Sequence, residues 1–280
     1  MPHLCLLTDQ AVQFQDFTFA GSDAVYIVYP GIQNGYLTLA EYKKTILRSQ
    51  TPNIPNPDIP VDTFRKVFLT LSRDYNEIIV ILTSSQLNYL QYENAQKAAE
   101  GLKGKVSVQI VDSQTLSAGL AHLIVNAAAA ISTELGNQKT SSDIFRQVQK
   151  SVSHIYTIFC TRDLRQLSVH GMFEVEHAII GEMIGTVPVM ILENGRIVAT
   201  QKARNARHLV ELLLEYLEEF YKLKQIYLYQ SSPVFGTELN QLQERLELLL
   251  PDVPAFQIPT NPAVRDLLGN RAIGMIVLDE

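Results

Sequence analysis

The residues best placed for chemistry are hydroxyl and carboxylate side chains that follow two apolar, strand-like runs. Thr83-Ser84-Ser85 comes directly after the run 78–82, and Asn88 opens the next helical segment. Asp112-Ser113 repeats this arrangement after the run 106–111. In an open α/β sheet, ligands bind beyond the carboxyl ends of strands, and hydroxyls beside free N–H groups at a helix start suit an anionic head group. The alternative is that these residues only cap helices, and the residues alone favour that interpretation.

The sequence contains none of the common catalytic motifs: no dinucleotide-binding glycine pattern, no P-loop, no His-Glu-x-x-His and no Gly-x-Ser-x-Gly. Glu174 and His177 would share a helix face, but no third ligand accompanies them, so we predict no metal and no cofactor. A hydrolase-like site around Ser84, Asp112 and His170 is an alternative that no nucleophile elbow supports. The sequence therefore favours a binding protein over an enzyme.

The composition is that of a globular protein. The chain has 280 residues, 46% hydrophobic and 19% charged, with a net charge of −6 and no large basic cluster, so we expect no nucleic-acid partner. Cys5 and Cys160 lie in or beside apolar runs, which predicts reduced core thiols and fits a cytoplasmic location. Neither a signal peptide nor a membrane span is expected.

The order of elements predicts an α/β fold with two domains. Short strands alternate with helices in the first half, which favours a parallel sheet. In the second half, Asn194-Gly195 separates the apolar runs 187–192 and 196–200, which is typical of a β-hairpin and predicts a mixed sheet. The predicted N-terminal domain covers 1–158 and the C-terminal domain 159–280. The predicted strands of the first part are 4–7, 24–28, 78–82, 106–111 and 155–159, and its predicted helices are about 39–49, 61–72, 88–101, 115–134 and 141–152.

Four prolines fall within the segment 51–60, which excludes a helix or a central strand. The segment is either a loop over a binding site or a rigid connector, and the sequence alone does not distinguish the two. In the C-terminal half we predict a helical region at 163–184, a long helix at about 204–223 and a helix at about 237–249. Strands are predicted at 226–229, 255–258 and 273–278, with a short helix before the last.

Several short motifs, in their order and spacing, resemble the DegV family. The resemblance covers nearly the whole chain, and no single motif decides it. The matching segments are Thr83-Ser84-Ser85-Gln86-Leu87-Asn88 with 93–100, Val111-Asp112-Ser113 with Ser117-Ala118-Gly119, Asp163-Leu164-Arg165-Gln166-Leu167, Ile180-Gly181 to Pro188, Glu193-Asn194-Gly195-Arg196-Ile197, Lys202-Ala203-Arg204 and Gly269-Asn270-Arg271-Ala272-Ile273-Gly274.

The resemblance implies a two-domain α/β protein that binds a fatty acid. It implies an acyl tail buried in the C-terminal domain and a carboxylate held at the domain interface. Some bacterial members present the fatty acid to a separate kinase, so a fatty-acid kinase subunit is an implied partner. The expected protein is a lipid carrier without catalysis of its own.

Departures from the family pattern fall on the groups that would hold the carboxylate. Asn88 replaces a serine, the arginine of Gly-Gly-Arg-Ile is missing from 170–173, Val187 replaces a lysine, and the family histidine falls on or near Leu267. The hydroxyls of a further family loop are lost near 56–58. The polar residues left for a head group are Ser84, Ser85, Asn88, His170 and Arg265.

Apolar residues at helical spacing could line the pocket for the acyl tail: Met172, Phe173, Ile180, Met183 and Ile184. The same stripe could be ordinary core. An apolar tail gains about 0.8 kcal/mol per buried methylene, whereas each lost charge-assisted hydrogen bond costs about 1.5–3 kcal/mol. We therefore expect a lipid site with an altered head-group preference. The alternative is a degenerate relative with a filled pocket that only binds a protein partner.

Overall fold

The computed structural model describes residues 4–48, 58–132, 140–172, 174–185 and 187–280. The chain divides into two compact units, Met1–Ser153 and His154–Glu280, called here the N-terminal and C-terminal units. The sequence-based boundary after residue 158 falls inside a strand of the C-terminal unit. Most of the proline-rich segment, 51–57, and Phe173 lie outside the described residues.

A five-stranded sheet forms the centre of the N-terminal unit. Its strand order is β3-β2-β1-β4-β5, and β1, β2, β4 and β5 are parallel, as the sequence predicts. The edge strand β3 pairs antiparallel with β2 and was not predicted, because three residues are too few to show an alternating pattern. The strands are β1 (Leu4–Thr8), β2 (Val25–Val28), β3 (Tyr36–Thr38), β4 (Glu77–Leu82) and β5 (Ser107–Asp112).

Within the described residues, five α-helices accompany this sheet: α1 (Leu39–Arg48), α2 (Val61–Leu71), α3 (Tyr89–Glu100), α4 (Ser117–Ser132) and α5 (Ser141–Val152). Phe64 and Phe68 of α2 and Ala95 of α3 pack with Cys5 and Val80 in one buried cluster. The alternate strand residues face the opposite side of the sheet, where α4 contacts β1 and β4. Burial on both faces explains why β4 is apolar almost throughout.

A six-stranded mixed sheet forms the centre of the C-terminal unit, in the order β10-β9-β11-β6-β7-β8. The predicted hairpin joins β7 and β8, and Asn194 and Gly195 have φ of 51° and 78°, the positive values that its turn requires. The strands are β6 (Ile155–Thr161), β7 (Val187–Glu193), β8 (Arg196–Ala203), β9 (Leu223–Gln230), β10 (Ala255–Pro259) and β11 (Ala272–Asp279).

Two helical regions of the C-terminal unit are shorter than predicted, whereas the helix predicted at about 237–249 forms over Gly236–Leu249. The region 163–184 forms two helices, because Gly171 between them has φ of 69° and interrupts the helical path. The helix predicted to reach residue 223 ends at Glu215 and continues only as a 3₁₀ turn. The helices are α6 (Leu164–Val169), α7 (Val175–Met183), α8 (Ala206–Glu215), α9 (Gly236–Leu249) and α10 (Pro262–Leu268).

Helices α8 and α9 cover one face of this sheet. Leu213 and Leu242 pack with Met275 and other buried residues in a single apolar cluster. Both cysteines are free and buried, as the sequence predicts. Burial raises the pKa of the Cys5 thiol to about 12 and also raises that of Cys160, so both remain neutral thiols near pH 7.

Candidate functional site

The centre of the polar cluster in the N-terminal unit is Asp9, immediately after β1. Its carboxylate is fully buried and accepts four hydrogen bonds. Oδ1 accepts from Ala11 N–H and Thr83 Oγ1, both at 2.9 Å. Oδ2 accepts from Thr83 N–H at 2.7 Å and from Gln91 Nε2 at 2.8 Å. Burial raises the pKa of this carboxyl, and the four hydrogen bonds partly oppose that rise. Asp9 thus joins the ends of β1 and β4 to helix α3.

A second carboxylate, Asp112 at the end of β5, holds the loop after β4. Its Oδ1 accepts from the N–H of Ser85 and of Gln114, both at 3.0 Å, and its Oδ2 accepts a short hydrogen bond from Ser85 Oγ. Ser84 N–H donates to Thr115 O at 2.9 Å, and Ser84 Oγ accepts from Gln86 N–H at 3.2 Å. The two serines are therefore held by neighbouring backbone and by Asp112 at the carboxyl edge of the sheet.

Asn88 caps α3, because its Oδ1 accepts from Gln91 N–H at 3.1 Å. The capping alternative concerned the serine and aspartate residues, whereas the residue that caps α3 is Asn88. Ser84 O also accepts from the backbone N–H of Leu87 and Asn88, which makes one tight turn between β4 and α3. The structure therefore brings Ser84, Ser85 and Asn88 together on a single short loop, with Ser84 and Ser85 buried and Asn88 half-buried.

Two further predicted residues, His170 and Arg265, lie in the C-terminal unit. His170 Nε2 lies 3.0 Å from the backbone oxygen of Asp266 and 3.4 Å from its Oδ2. Gln166 Nε2 donates to the same backbone oxygen at 2.6 Å, so the end of α6 is tied to α10. The Nε of neighbouring Arg265 is buried and makes no hydrogen bond within the described part of the chain. His170, Asp266 and Arg265 form a small polar cluster that is suited to donate hydrogen bonds to a ligand or to accept them from it.

Beside this polar group, α7 and its end expose a set of apolar side chains. Ile180, Met183 and Ile184 are 56%, 80% and 65% exposed, and Met172 is half-buried. The only buried residue of α7 is Ala178. These residues therefore form a surface rather than the ordinary core that was the alternative interpretation. Whether an acyl chain covers them stays a prediction.

Sequence reasoning missed Asp9 and Gln91, and it did not pair Asp112 with Ser85. The pattern that indicated Ser84 and Asp112, a polar residue directly after a buried strand, also applies to Asp9 after β1. The hydrolase-like alternative gains nothing from the geometry, since the hydrogen-bond partners of Asp112 are Ser85 and Gln114. Glu174 and His177 form an exposed pair at 3.0 Å.

Two of the motifs quoted above meet in space. Asp163 Oδ2 accepts from Arg271 N–H at 2.8 Å, and its Oδ1 accepts from Arg271 Nε at 2.5 Å. Gly269 has φ of 93°, and a Cβ built there would lie 2.5 Å from Asp163 Cβ. The glycine is therefore required both by its backbone conformation and by the close approach of Asp163.

Comparison with known proteins gives the same family as these motifs. Residues 42–280 match the family model described as "Uncharacterised protein, DegV family". The chain belongs to the DegV family. A DegV domain-containing protein of Staphylococcus aureus strain COL is 24% identical over 224 residues, which cover 78% of this chain and 76% of the relative.

Solved DegV structures share the fold. The fatty acid binding DegV family protein from Streptococcus agalactiae superposes with a TM-score of 0.78 at 18% identity, over 100% of both chains. The fatty acid kinase (Fak) B3 protein of Streptococcus pneumoniae, loaded with linoleic acid, gives a TM-score of 0.75 at 14% identity, over 99% of this chain and 100% of that one. The DegV fold expected from the sequence is thus confirmed.

The described residues show neither a metal-binding cluster nor a membrane-spanning helix. They contain no group of three or more His, Cys, Asp or Glu residues arranged to hold a metal ion. No helix within the described ranges is both long and apolar enough to cross a bilayer. The description of the DegV family names no catalytic activity.

Proposed function

We propose that this DegV protein binds a fatty acid or a similar amphiphile and carries it without catalysing its conversion. The observation that carries the proposal is the exposed apolar surface of α7, in a chain whose family relatives include fatty-acid-binding proteins. Large exposed apolar surfaces mark ligand or partner sites, since burying each such side chain gains about 1.5–3 kcal/mol. In this proposal the acyl tail covers Ile180, Met183 and Ile184.

The head group is proposed to interact with the remaining polar residues. Ser84, Ser85 and Asn88 would contribute from the N-terminal unit, and His170 and Arg265 from the C-terminal unit. The family resemblance implies that the head group lies at the domain interface, and this position is part of the proposal. Because the family's arginine, lysine and histidine are replaced, we expect a weaker hold on an ionised carboxylate and greater tolerance of uncharged head groups. Presentation to a separate kinase subunit is part of the proposal and is supported by the similarity to the Streptococcus pneumoniae protein.

Native mass spectrometry of protein purified from cells tests this proposal. The expected spectrum contains adducts with the mass of a long-chain amphiphile, which dissociate at high collision energy. A panel of fatty acids, alcohols and methyl esters of equal chain length then measures the head-group preference. Absence of any adduct, together with no binding to the whole panel, would contradict the proposal and favour a degenerate family member that only binds a protein.

Met172→Arg is expected to strengthen the binding of ionised fatty acids by about 10- to 100-fold, because one charge-assisted hydrogen bond contributes about 1.5–3 kcal/mol. Met172 lies in the stretch where the family pattern has its arginine, and it is half-buried. Calorimetric titration with a fatty acid and with its methyl ester measures the effect. The ester serves as the control, and its affinity should not rise in the variant. An equal gain for both ligands would show that the arginine acts on the tail, and the head-group part of the proposal would be wrong.

A further inference from the structure

A cavity of about 360 Å³ in the C-terminal unit is lined by none of the residues assigned to the lipid, although Glu182 and Gly185, which line it, flank Met183 and Ile184. It is formed where α7, β6 and β8 end, β11 begins, and α8 and α9 start. Arg162, Arg204 and Arg271 line it, together with Glu182 and Glu238. Three guanidinium groups at one small cavity point to an anionic ligand.

Two of the five charged residues are already neutralised by partners. Arg271 pairs with Asp163 and also donates from Nη2 to the backbone oxygen of Arg162 at 3.1 Å. Glu182 accepts from Arg165, with Arg165 Nε to Glu182 Oε2 at 3.0 Å. These two pairs shape the wall of the cavity but contribute little net charge to it.

The remaining charged groups have no charged partner. Arg162 and Arg204 make no ion pair with any described residue, and the Arg162 guanidinium lies over the ring of Phe235, with Cζ 5.1 Å from the ring centroid. That stacking holds the guanidinium in place while leaving its N–H groups for a ligand. The first turn of α8 lies at the same cavity, and its unpaired N–H groups add to the positive potential.

Glu238 is the informative residue. It is only 7% exposed, it lines the cavity, and its carboxylate makes no hydrogen bond or ion pair with any described residue. Its oxygens are not fully enclosed and reach the cavity, so this carboxylate is suited to a cationic or N–H donor supplied by a ligand.

The charges specify the ligand. Two unpaired guanidinium groups and one unpaired carboxylate are complemented by two negative charges and one positive charge. We propose that the cavity binds a phosphate monoester that carries an ammonium group, with the phosphate at Arg162, Arg204 and the start of α8, and the ammonium at Glu238. The same chemistry occurs in a free small molecule and in a phospholipid head group. This site adjoins the acyl site proposed above at the end of α7 but shares no residue with it, and its first test uses ligands that have no acyl chain.

Calorimetric titration with O-phosphoethanolamine and with inorganic phosphate tests the assignment. The ester is expected to bind about tenfold or more tightly than phosphate, because only the ester reaches Glu238 with an ammonium. Glu238→Gln should reduce this preference to less than about threefold, since the isosteric amide carries no charge. Arg162→Gln and Arg204→Gln should each weaken both ligands by about tenfold or more. Arg196→Gln, an exposed arginine of β8 outside the cavity, is the matched control and should bind as the unmodified protein does.

A second arm distinguishes the two sources of the ligand. Vesicles of phosphatidylcholine with and without phosphatidylethanolamine are sedimented with the protein and with the Glu238→Gln variant. Co-sedimentation that requires phosphatidylethanolamine and is lost in the variant assigns the cavity to a lipid head group, and binding of the soluble ester alone assigns it to a free phosphate ester. Equal affinities for ester and phosphate in the unmodified protein, or a preference that survives Glu238→Gln, would overturn the proposal. Arg162→Gln and Arg204→Gln keep the test decisive if Glu238→Gln does not fold, since unchanged ester binding in both variants would also overturn the proposal.

Discussion

Asp9→Ala is expected to lower the free energy of unfolding by about 3–5 kcal/mol, the largest stability effect that we predict for a single polar residue. The carboxylate of Asp9 is fully buried and is the acceptor for Ala11, Thr83 and Gln91. Alanine would leave the N–H groups of Ala11 and Thr83 and the amide of Gln91 without this acceptor where water does not reach. Each unsatisfied buried donor costs about 1–3 kcal/mol.

Urea unfolding followed by far-UV circular dichroism measures the total loss in the free energy of unfolding. Hydrogen exchange then shows which elements are destabilised. Because Asp9 joins β1, β4 and α3, the amides of these elements should lose protection, while those of the C-terminal unit should not. Asp62→Ala is the matched control. Asp62 is an exposed aspartate of α2 that forms a surface ion pair with Arg65, and its loss should change the free energy of unfolding by less than about 0.5 kcal/mol. A loss below about 1 kcal/mol for Asp9→Ala would show that water or a rearranged loop satisfies the donors.

The strands and the hairpin could be predicted because their determinants are local. Continuous apolar runs marked β1, β2 and β4, and Asn194-Gly195 fixed the β7–β8 turn through two positive φ values. Contacts between distant segments could not be predicted in this way. The backbone N–H of Thr83 donates to Asp9, which lies 74 positions earlier in the sequence, and no local pattern specifies that contact. The edge strand β3 also depends on a tertiary contact, its pairing with β2, and not on a local sequence pattern.

The candidate site was only partly accessible to sequence reasoning. Polar residues after buried strands led to Ser84 and Asp112, and family spacing led to His170 and Arg265. The surface exposure of Ile180 and Met183 could not be predicted, because their helical spacing fits a core stripe equally well. The cavity at Glu238 could not be predicted either, since its charged residues come from α7, from α9 and from the residues that follow β6 and β8 and precede β11.

Ile180→Glu is expected to weaken the binding of a long-chain fatty acid by about 10- to 100-fold or more. In the proposed complex the acyl tail covers Ile180, so the variant loses the roughly 1.5–3 kcal/mol gained by burying that side chain. The new carboxylate must in addition lose water when the tail approaches, and it repels the fatty-acid carboxylate at long range. Stability should change little, because Ile180 is 56% exposed and the substitution removes little buried contact.

Leu248→Glu separates this local effect from a general effect of added charge. Leu248 lies on α9, is 81% exposed and belongs to no site assigned here, so the variant has the same change in net charge and should bind the acid normally. Thermal melting of both variants should match that of the unmodified protein, and calorimetric titration with one fatty acid compares their affinities. Because a tail that covers position 180 would lose apolar contact and desolvate the new carboxylate, normal binding by Ile180→Glu would place the tail elsewhere. The exposed face of α7 would then be a surface for a protein partner.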